Sequence, residues 1–451
     1  MTYEFLTEAL RGSDNEIDRD ELRTFLENEH PVDLAAFIGD LEPDEAWHLL
    51  DMMPLDQQAD LFGYLDHDFQ VELAQHAPRK KLARIVTEMN ADERADLYNE
   101  LSEEQRDALM PGLARAERED IRRLAAYAEG TAGAIMTSDY ATLPRSITAR
   151  EAVDRLRREA VDKETIYRAY VVDRDRHLVG SVRLEDLILA KPSDTVADIM
   201  DTHAYAVRVD DDQEEAARRI ARYDVLALPV VDEEDRLVGI ITHDDAMDVL
   251  QEEATEDFHR VGSVRELAVN VRDASIFVLY RARIVWLMVL VFANIFSGAG
   301  IAYFEDTIEA YVALVFFLPL LIDSGGNAGS QSATLMVRAL ATGEAAMADW
   351  GKMIGRELGV ALFLGLSMAV AVSVIGVIRA DAQIATVVAM SMVLIVLVGS
   401  LIGMSLPFIL TKLKLDPATA SAPLVTSICD ATGVMIYFAL ATAFLFPAVG
   451  G

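Results

Sequence analysis

The period of the apolar positions changes along the chain, and each change marks a different kind of structure. Over residues 1–130, segments such as DLAAFIGDL, AWHLLDMM, QADLFGYL and RADLYNEL place apolar residues three and four apart, with acidic or proline breaks between them. That spacing predicts short amphipathic helices stacked as a helical-repeat domain. Between residues 135 and 250, short runs such as YVV, PVV and LVG alternate with charged turns and read as strands. After Arg283 the stretch IVWLMVLVFANIFSGAGIAY (284–303) carries no charge. At about 1.5 Å per residue it matches a hydrocarbon core of ~30 Å. Four more such segments follow, at 310–334, 358–378, 384–410 and 418–447. The expected architecture is a multidomain membrane protein with an all-α helical-repeat N domain (1–130), two α/β modules (131–198 and 199–250), a linker or plug helix (251–280) and a five-helix transmembrane domain (281–451).

Charge is divided as sharply as hydropathy. The chain has 74 acidic and 40 basic residues, net −34. Residues 264–451 hold only 12 acidic and 10 basic of these, which leaves 62 and 30 in the first 263 residues. A wet, strongly acidic half therefore precedes a nearly neutral apolar one. Such a surface repels phosphate backbones, and no basic patch interleaved with aromatics is present, so nucleic acid is excluded as a partner. The basic residues are 33 Arg and 7 Lys, a balance that resembles proteins of salt-loving microbes and supplies a second explanation for the acidic surface. The single cysteine, Cys429, makes no internal disulfide, which suits a reducing cytoplasm. The start MTYEFLTEALRGSDNE lacks the basic and apolar regions of a signal peptide.

Five spans put the chain ends on opposite sides of the membrane. With the soluble half inside, the inner flanks carry Arg281, Arg283, Arg338, Lys352, Arg356, Lys412 and Lys414, and the outer loops only Arg379. The expected topology is a cell-membrane protein with a cytoplasmic N-terminus and an external C-terminus.

Carboxylates within the spans are the informative residues, because a charge near the bilayer centre costs about 2.5–3.5 kcal/mol or more unless it faces protein or water. Asp430 in the fifth span has no Lys or Arg at comparable depth and reads as pore-facing. Asp323 in the second span either lines the same path or is tolerated among polar neighbours. Around them the second span has Pro319 and the run Gly325, Gly326, Asn327, Gly329, Gln331, and the fifth has Pro423 and Gly433. Loosened helices lining a wet cavity are one reading of this punctuation, with Gly326 and Asn327 beside the path. Close packing through small residues is the other. Hard oxygen ligands suit Mg2+ or Ca2+, and Mg2+, which gives up its waters reluctantly, would be gripped through its water shell. One carboxylate per chain is thin for a divalent ion, so a homodimer that doubles it is the economical assembly.

Residues 135–250 contain an internal repeat: IMTSDYATLPRSI and YVVDRDRHLVGSVRLEDL align with IMDTHAYAVRVDD and PVVDEEDRLVGIITHDDA. This resembles a pair of CBS domains, βαββα modules used in tandem as regulatory sensors. Such pairs often bind adenosyl nucleotides through a Gly-x-x-Thr/Ser-x-x-Asp stretch. If ATP binds here, the second copy is the better candidate, through Gly239, Thr242, Asp245 and Asp248 with Pro229 as an apolar platform.

The whole chain resembles the MgtE family of magnesium channels, most specifically in PLLIDSGGNAGSQSATLMVRALATGE, EEATEDFHR and DPATASAPLVTSICDATGVMIYF. The resemblance implies a homodimer in the lipid bilayer, a pore lined by the second and fifth spans, and Asp430 as the selectivity residue. It also implies Mg2+ ions held between acidic cytoplasmic surfaces that keep the pore closed. The matching positions are Asp60, Asp92 and Asp96 in the helical domain; Asp212, Glu214, Asp224, Asp245 and Asp248 in the second CBS module; Glu253, Glu256 and Asp257 in the linker; and Glu357 and Asp416 at the inner edge of the membrane domain. The leading expectation is a Mg2+-selective uptake channel gated closed by bound Mg2+. The alternatives are an ion-coupled secondary transporter of Mg2+ or another divalent ion such as Co2+, and a membrane-anchored sensor. No residues support an enzyme.

Overall fold

The computed structural model describes residues 19–160, 163–203, 205–265 and 274–446. They form two units, divided between Gln251 and Glu252.

The first unit opens with short helices: α1 (Arg19–Asn28), α2 (Pro31–Ile38), α3 (Pro43–Leu50), α4 (Leu55–Gly63), α5 (His67–His76), α6 (Arg79–Glu88), α7 (Ala91–Glu100), α8 (Glu103–Leu109) and α9 (Arg115–Leu124). Proline in the first turn of α2 and α3 costs no hydrogen bond there and starts each helix in its preferred backbone geometry. A reciprocal cap between Ser102 and Gln105 opens α8. The apolar faces meet in one core that includes Leu26, Leu34, Ile38, Leu49, Leu50 and Phe62, as the three- and four-residue spacing requires.

Each repeat folds as a three-stranded sheet. In the first module β1 (Tyr140–Leu143) lies parallel to β2 (Thr165–Val172) across α10 (Ala149–Glu159), and β3 (Leu178–Arg183) returns antiparallel before α11 (Leu184–Leu189). After α12 (Val196–Ile199) the second repeats the pattern with β4 (Val207–Arg208), α13 (Gln213–Tyr223), β5 (Ala227–Val231), β6 (Leu237–Thr242) and α14 (His243–Val261). The two join through Tyr140, Tyr170, Ala227, Leu237 and Ile240. The leading segments are exchanged relative to the expected boundaries. Ala132 and Met136 pack into the second module, with Thr137 pairing Ile240, whereas Val196 packs into the first. Each sheet needs an apolar cover that its neighbour's leading segment supplies.

The linker or plug helix expected over 251–280 begins within α14, which runs unbroken from His243 to Val261 because DVLQEEATED contains no helix breaker. Residues 266–273 of that stretch lie outside the described residues, as does Gly451.

In the second unit, α15 (Ile276–Tyr303), a short α16 (Glu305–Ala310), α17 (Ala313–Ala341), α18 (Trp350–Arg379), α19 (Ala382–Lys412) and α20 (Ala422–Leu445) follow. Five of these helices are long and apolar enough to cross a membrane, among the described residues. The first begins two turns before the uncharged run, because helix continues beyond the hydrocarbon-matched stretch into the charged flank.

The expectation of loosened second and fifth spans is not met: α17 and α20 are continuous. Pro423 falls in the first turn of α20, where its missing N–H costs nothing. The glycines serve close approach. Gly325 and Gly329 of α17 face Gly399 and Gly403 of α19 so closely that a Cβ on Gly399 would strike the Gly325 carbonyl, and one on Gly403 the Gly329 carbonyl. This is helix packing through two G-x-x-x-G ladders. Gly403→Val should therefore destabilise the membrane unit by at least about 1–3 kcal/mol, seen as a lower unfolding temperature in detergent. Gly355→Val on α18, with nothing within 4 Å of its Cβ position, should leave that temperature nearly unchanged.

Candidate functional site

The membrane helices present one polar stripe. On α17, Asp323, Asn327, Ser330 and Thr334 recur at steps of four, three and four, which places them on a single face. Asp323 and Asn327 are exposed, and the Asn327 amide donates to Asp323 Oδ2 at 3.0 Å. Ser330 and Thr426 of α20 bring their hydroxyls to 3.2 Å. Asp430, one turn beyond Thr426, is half-buried and close enough to Asp323 for the two charges to interact. Neither carboxylate has a cationic partner among the described residues. Gly326 lies beneath the stripe, buried, where a Cβ would come within 2.9 Å of Thr426 Cγ2. It sets the approach of α17 to α20 and offers no side chain to an open path.

A second acidic site forms inside the first unit. Helix α7 buries Ala91 and Ala95 in the apolar cluster of the second CBS module, and that docking carries Asp92, Glu93 and Asp96 toward the start of α14. The fields of Asp60, Asp92, Glu93, Asp96, Glu164, Asp244, Asp245 and Asp248 overlap there. Asp92 Oδ1 and Glu164 Oε2 are fully inaccessible and have no hydrogen-bond partner. The other Glu164 oxygen accepts from the Asn90 amide at 3.0 Å. Asp245 accepts from the Thr242 hydroxyl.

Burial holds these groups far from their ordinary acidity. It raises Asp92 well above the carboxylate range, with Asp245 and Glu164 adding repulsion. Burial pushes Glu164 up to about 8, with Asp245 and then Glu93 adding the largest repulsion. Burial lifts Glu93 to about 7 against an opposing hydrogen bond from the Asn90 backbone. Asp245 rises to about 6 through burial, partly offset by its bond from Thr242. Asp60 and Asp248 are raised too, by burial first and then by Asp56 and Asp244 respectively.

Sequence reasoning had singled out Asp60, Asp92, Asp96, Asp245 and Asp248, and the fold brings these together. It missed Glu93, Glu164 and Asp244. Glu93 was hidden by its role as the capping partner of Asn90, and Glu164 sits in a turn with no motif around it. The other expected sensor residues lie apart from this cluster. Asp212 caps α13 by accepting from the Glu214 and Glu215 backbone at 3.0 and 3.1 Å. Glu214 pairs with Arg218, and Asp224 ends α13 in a left-handed conformation at φ 51°.

In the second unit, Glu256 and Asp416 converge on Arg260, whose guanidinium donates to both. Glu253 and Asp257 lie half-buried on the same helix, and Glu357 half-buried on α18. Of the residues named for a nucleotide, Pro229 and Thr242 are buried, Asp245 is half-buried and Asp248 is exposed.

Among the described residues, one group of three has donor atoms all within 4.8 Å of one another: Asp173, Asp175 and His177. Its contacts are those of a turn, with Asp173 accepting from the Asp175 and His177 backbone at 2.9 Å each. The wider spacing of the buried cluster fits Mg2+, which keeps several waters and reaches carboxylates through them. Its two orphaned buried oxygens are the kind of acceptor such an ion satisfies.

Five membrane-length helices, two of them bearing a carboxylate with no cationic partner among the described residues, joined to a CBS pair and an acidic helical domain, define a multi-pass membrane protein. The family model described as a divalent cation transporter matches residues 318–440, that of the MgtE intracellular N domain residues 29–130, and that of the CBS domain residues 132–193 and 196–252. The chain is 39% identical over 451 residues to the magnesium transporter MgtE of Thermus thermophilus, covering 98% of this chain and 99% of that protein. Its identity to the magnesium transporter MgtE of Bacillus subtilis is 34% over 427 residues, covering 94% of each. The crystal structure of the cytosolic domain of the Mg2+ channel MgtE in complex with ATP matches with a TM-score of 0.52 at 39% identity, covering 55% of this chain and all of that one. The chain belongs to the MgtE family.

The raised carboxyls set a pH dependence. Unfolded, they titrate near their ordinary values of 3.8 and 4.5; folded, they hold protons up to about 6–8. Through that window the folded chain binds more protons than the unfolded one, so cation-free stability falls as pH rises. Thermal unfolding of the first unit within the full chain should shift downward between about pH 5 and 8 without divalent ions. Mg2+ should reverse the shift, and most strongly at the alkaline end.

Proposed function

We propose that this chain is a Mg2+ transport protein whose path is lined by the α17 and α20 stripes of two copies and which closes when Mg2+ occupies the acidic cluster. The observation that carries the reading is the unpaired Asp323–Asn327 face together with Asp430 on membrane-length helices. Turned to lipid, each carboxylate would cost about 2.5–3.5 kcal/mol or more. Turned to a second copy across a watery axis, the two pairs form an oxygen-lined ring that attracts a hydrated divalent cation, which meets neighbouring carboxylates through its water layer. The excess of Arg and Lys on one set of flanks supports an orientation with the first unit in the cytoplasm.

The gate follows from electrostatics. When bound, a divalent ion supplies the counter-charge that the buried cluster lacks. Without it, Asp92, Glu93 and Glu164 repel Asp245 and favour separation of α7 from the second CBS module. Helix α14 carries Asp245 at one end and Arg260, with its partners Glu256 and Asp416, at the other. Ion binding at the cluster favours the closed state by mass action. At high ionic strength the Debye length falls to about 3 Å, so direct neutralisation of these carboxylates outweighs overall charge. A nucleotide at the second module is a further reading, supported by the ATP complex of the matching cytosolic domain.

Asp323 as a second titratable group in the path favours one further reading, coupled transport. In vesicles, Asp430→Ala should lower voltage-driven Mg2+ flux at least tenfold, since removing it forfeits more than about 1.4 kcal/mol of ion stabilisation. Flux in the unaltered chain that stops when the proton gradient is dissipated at fixed voltage would favour coupling and overturn the channel. Asp92→Asn together with Asp245→Asn should leave flux open at internal Mg2+ concentrations that close the unaltered protein, measured by Mg2+-sensitive dye in high KCl.

A further inference from the structure

The same unit holds a basic pocket that the transport reading does not use. A cavity of about 370 Å³ lies between the end of α14, the start of α15 and the turn before α20. Its lining includes Glu256, His259, Arg260, Arg265, Arg281 and Trp286, with Val285 beside them. In a chain of net charge −34, a pocket with three guanidinium groups is unusual. Arg260 is neutralised by Glu256 and Asp416. Arg265 and Arg281 form no ion pair among the described residues, and His259 Nδ1 is buried without a partner. A backbone hydrogen bond from Arg265 to the Ala282 carbonyl, 2.9 Å, fixes the turn after α14 against the first span.

We propose that this pocket binds the phosphate headgroup of an anionic phospholipid. Free cationic groups and an unpartnered ring nitrogen supply the complement to a phosphodiester. The position selects a lipid over a dissolved anion. Arg281 stands three residues before the uncharged run that begins at Ile284, so the pocket opens at the headgroup level of the leaflet where the first span starts. Trp286 and Val285 form the apolar wall next to it, an arrangement typical of the membrane interface. Beyond them α15 exposes Leu287, Val291, Phe292 and Ile295, and only 6% of its apolar window is buried. Acyl chains have that surface to lie along. The headgroup would tie the end of α14, which bears Glu256 and Arg260, to the first span.

The test uses the full chain, purified in detergent and titrated with phosphatidylglycerol or phosphatidylcholine, with bound lipid counted by native mass spectrometry. Phosphatidylglycerol should be retained in clear preference. Arg265→Gln with Arg281→Gln should weaken its retention about tenfold or more, and each single substitution less, without lowering the unfolding temperature in detergent, since both side chains are exposed. Equal retention of the two lipids by the unaltered chain, or an unchanged preference in the double variant, would overturn the assignment. Glycerol phosphate, which has the headgroup chemistry without acyl chains, should displace the bound lipid poorly; displacement at equal concentration would show a soluble anion site and overturn the lipid source. Because Asp430 and the acidic cluster are untouched by these changes, failure here is distinguishable from failure of the transport reading.

Discussion

A carboxylate withdrawn from water without a cationic partner is the constraint on which this molecule turns. Its charged form is disfavoured by burial and by any like charge nearby, and the cost is removed by a proton or by a cation from solution. The chain sets this condition in the first unit, where α7 meets the second CBS module; in the second, Asp323 is exposed and Asp430 half-buried on the stripe of α17 and α20, and they too lack a cationic partner among the described residues. In both places arginines or lysines within reach would have cancelled the effect. The acidic cluster has none among its strongest neighbours, and the spans place theirs at the flanks.

Around the stripe, glycine does mechanical work. The α17 glycines at 325 and 329 meet those of α19 at 399 and 403, and the backbones approach until no side chain fits between them. This leaves the other face of α17 free for Asp323 and Asn327. In a membrane, where burial of apolar surface gives no drive for helices to associate, such contact holds the scaffold together. A polar stripe can then be carried without loosening the helix.

Continuity of α14 is the second mechanical element. Its 19 residues contain no helix breaker, so the helix that opens with Asp244 and Asp245 runs on to Val261.

From the sequence alone came the five spans, the helical domain, the duplicated modules, and the exceptional status of Asp430 and Asp323, because hydropathy, periodicity and repetition are local properties that survive without coordinates. The grouping of Asp60, Asp92, Asp96, Asp245 and Asp248 was reachable only through family likeness. Glu164 and Glu93 were not reachable at all, since neither spacing nor motif distinguishes a carboxylate in a turn or a helix cap from any other in so acidic a chain. The glycines were ambiguous for a related reason: one-dimensional spacing cannot tell a ladder that packs from a helix that opens. Only the tertiary structure decided which acids lose their water and which glycines meet another backbone, because desolvation and close approach depend on what a distant part of the chain brings alongside.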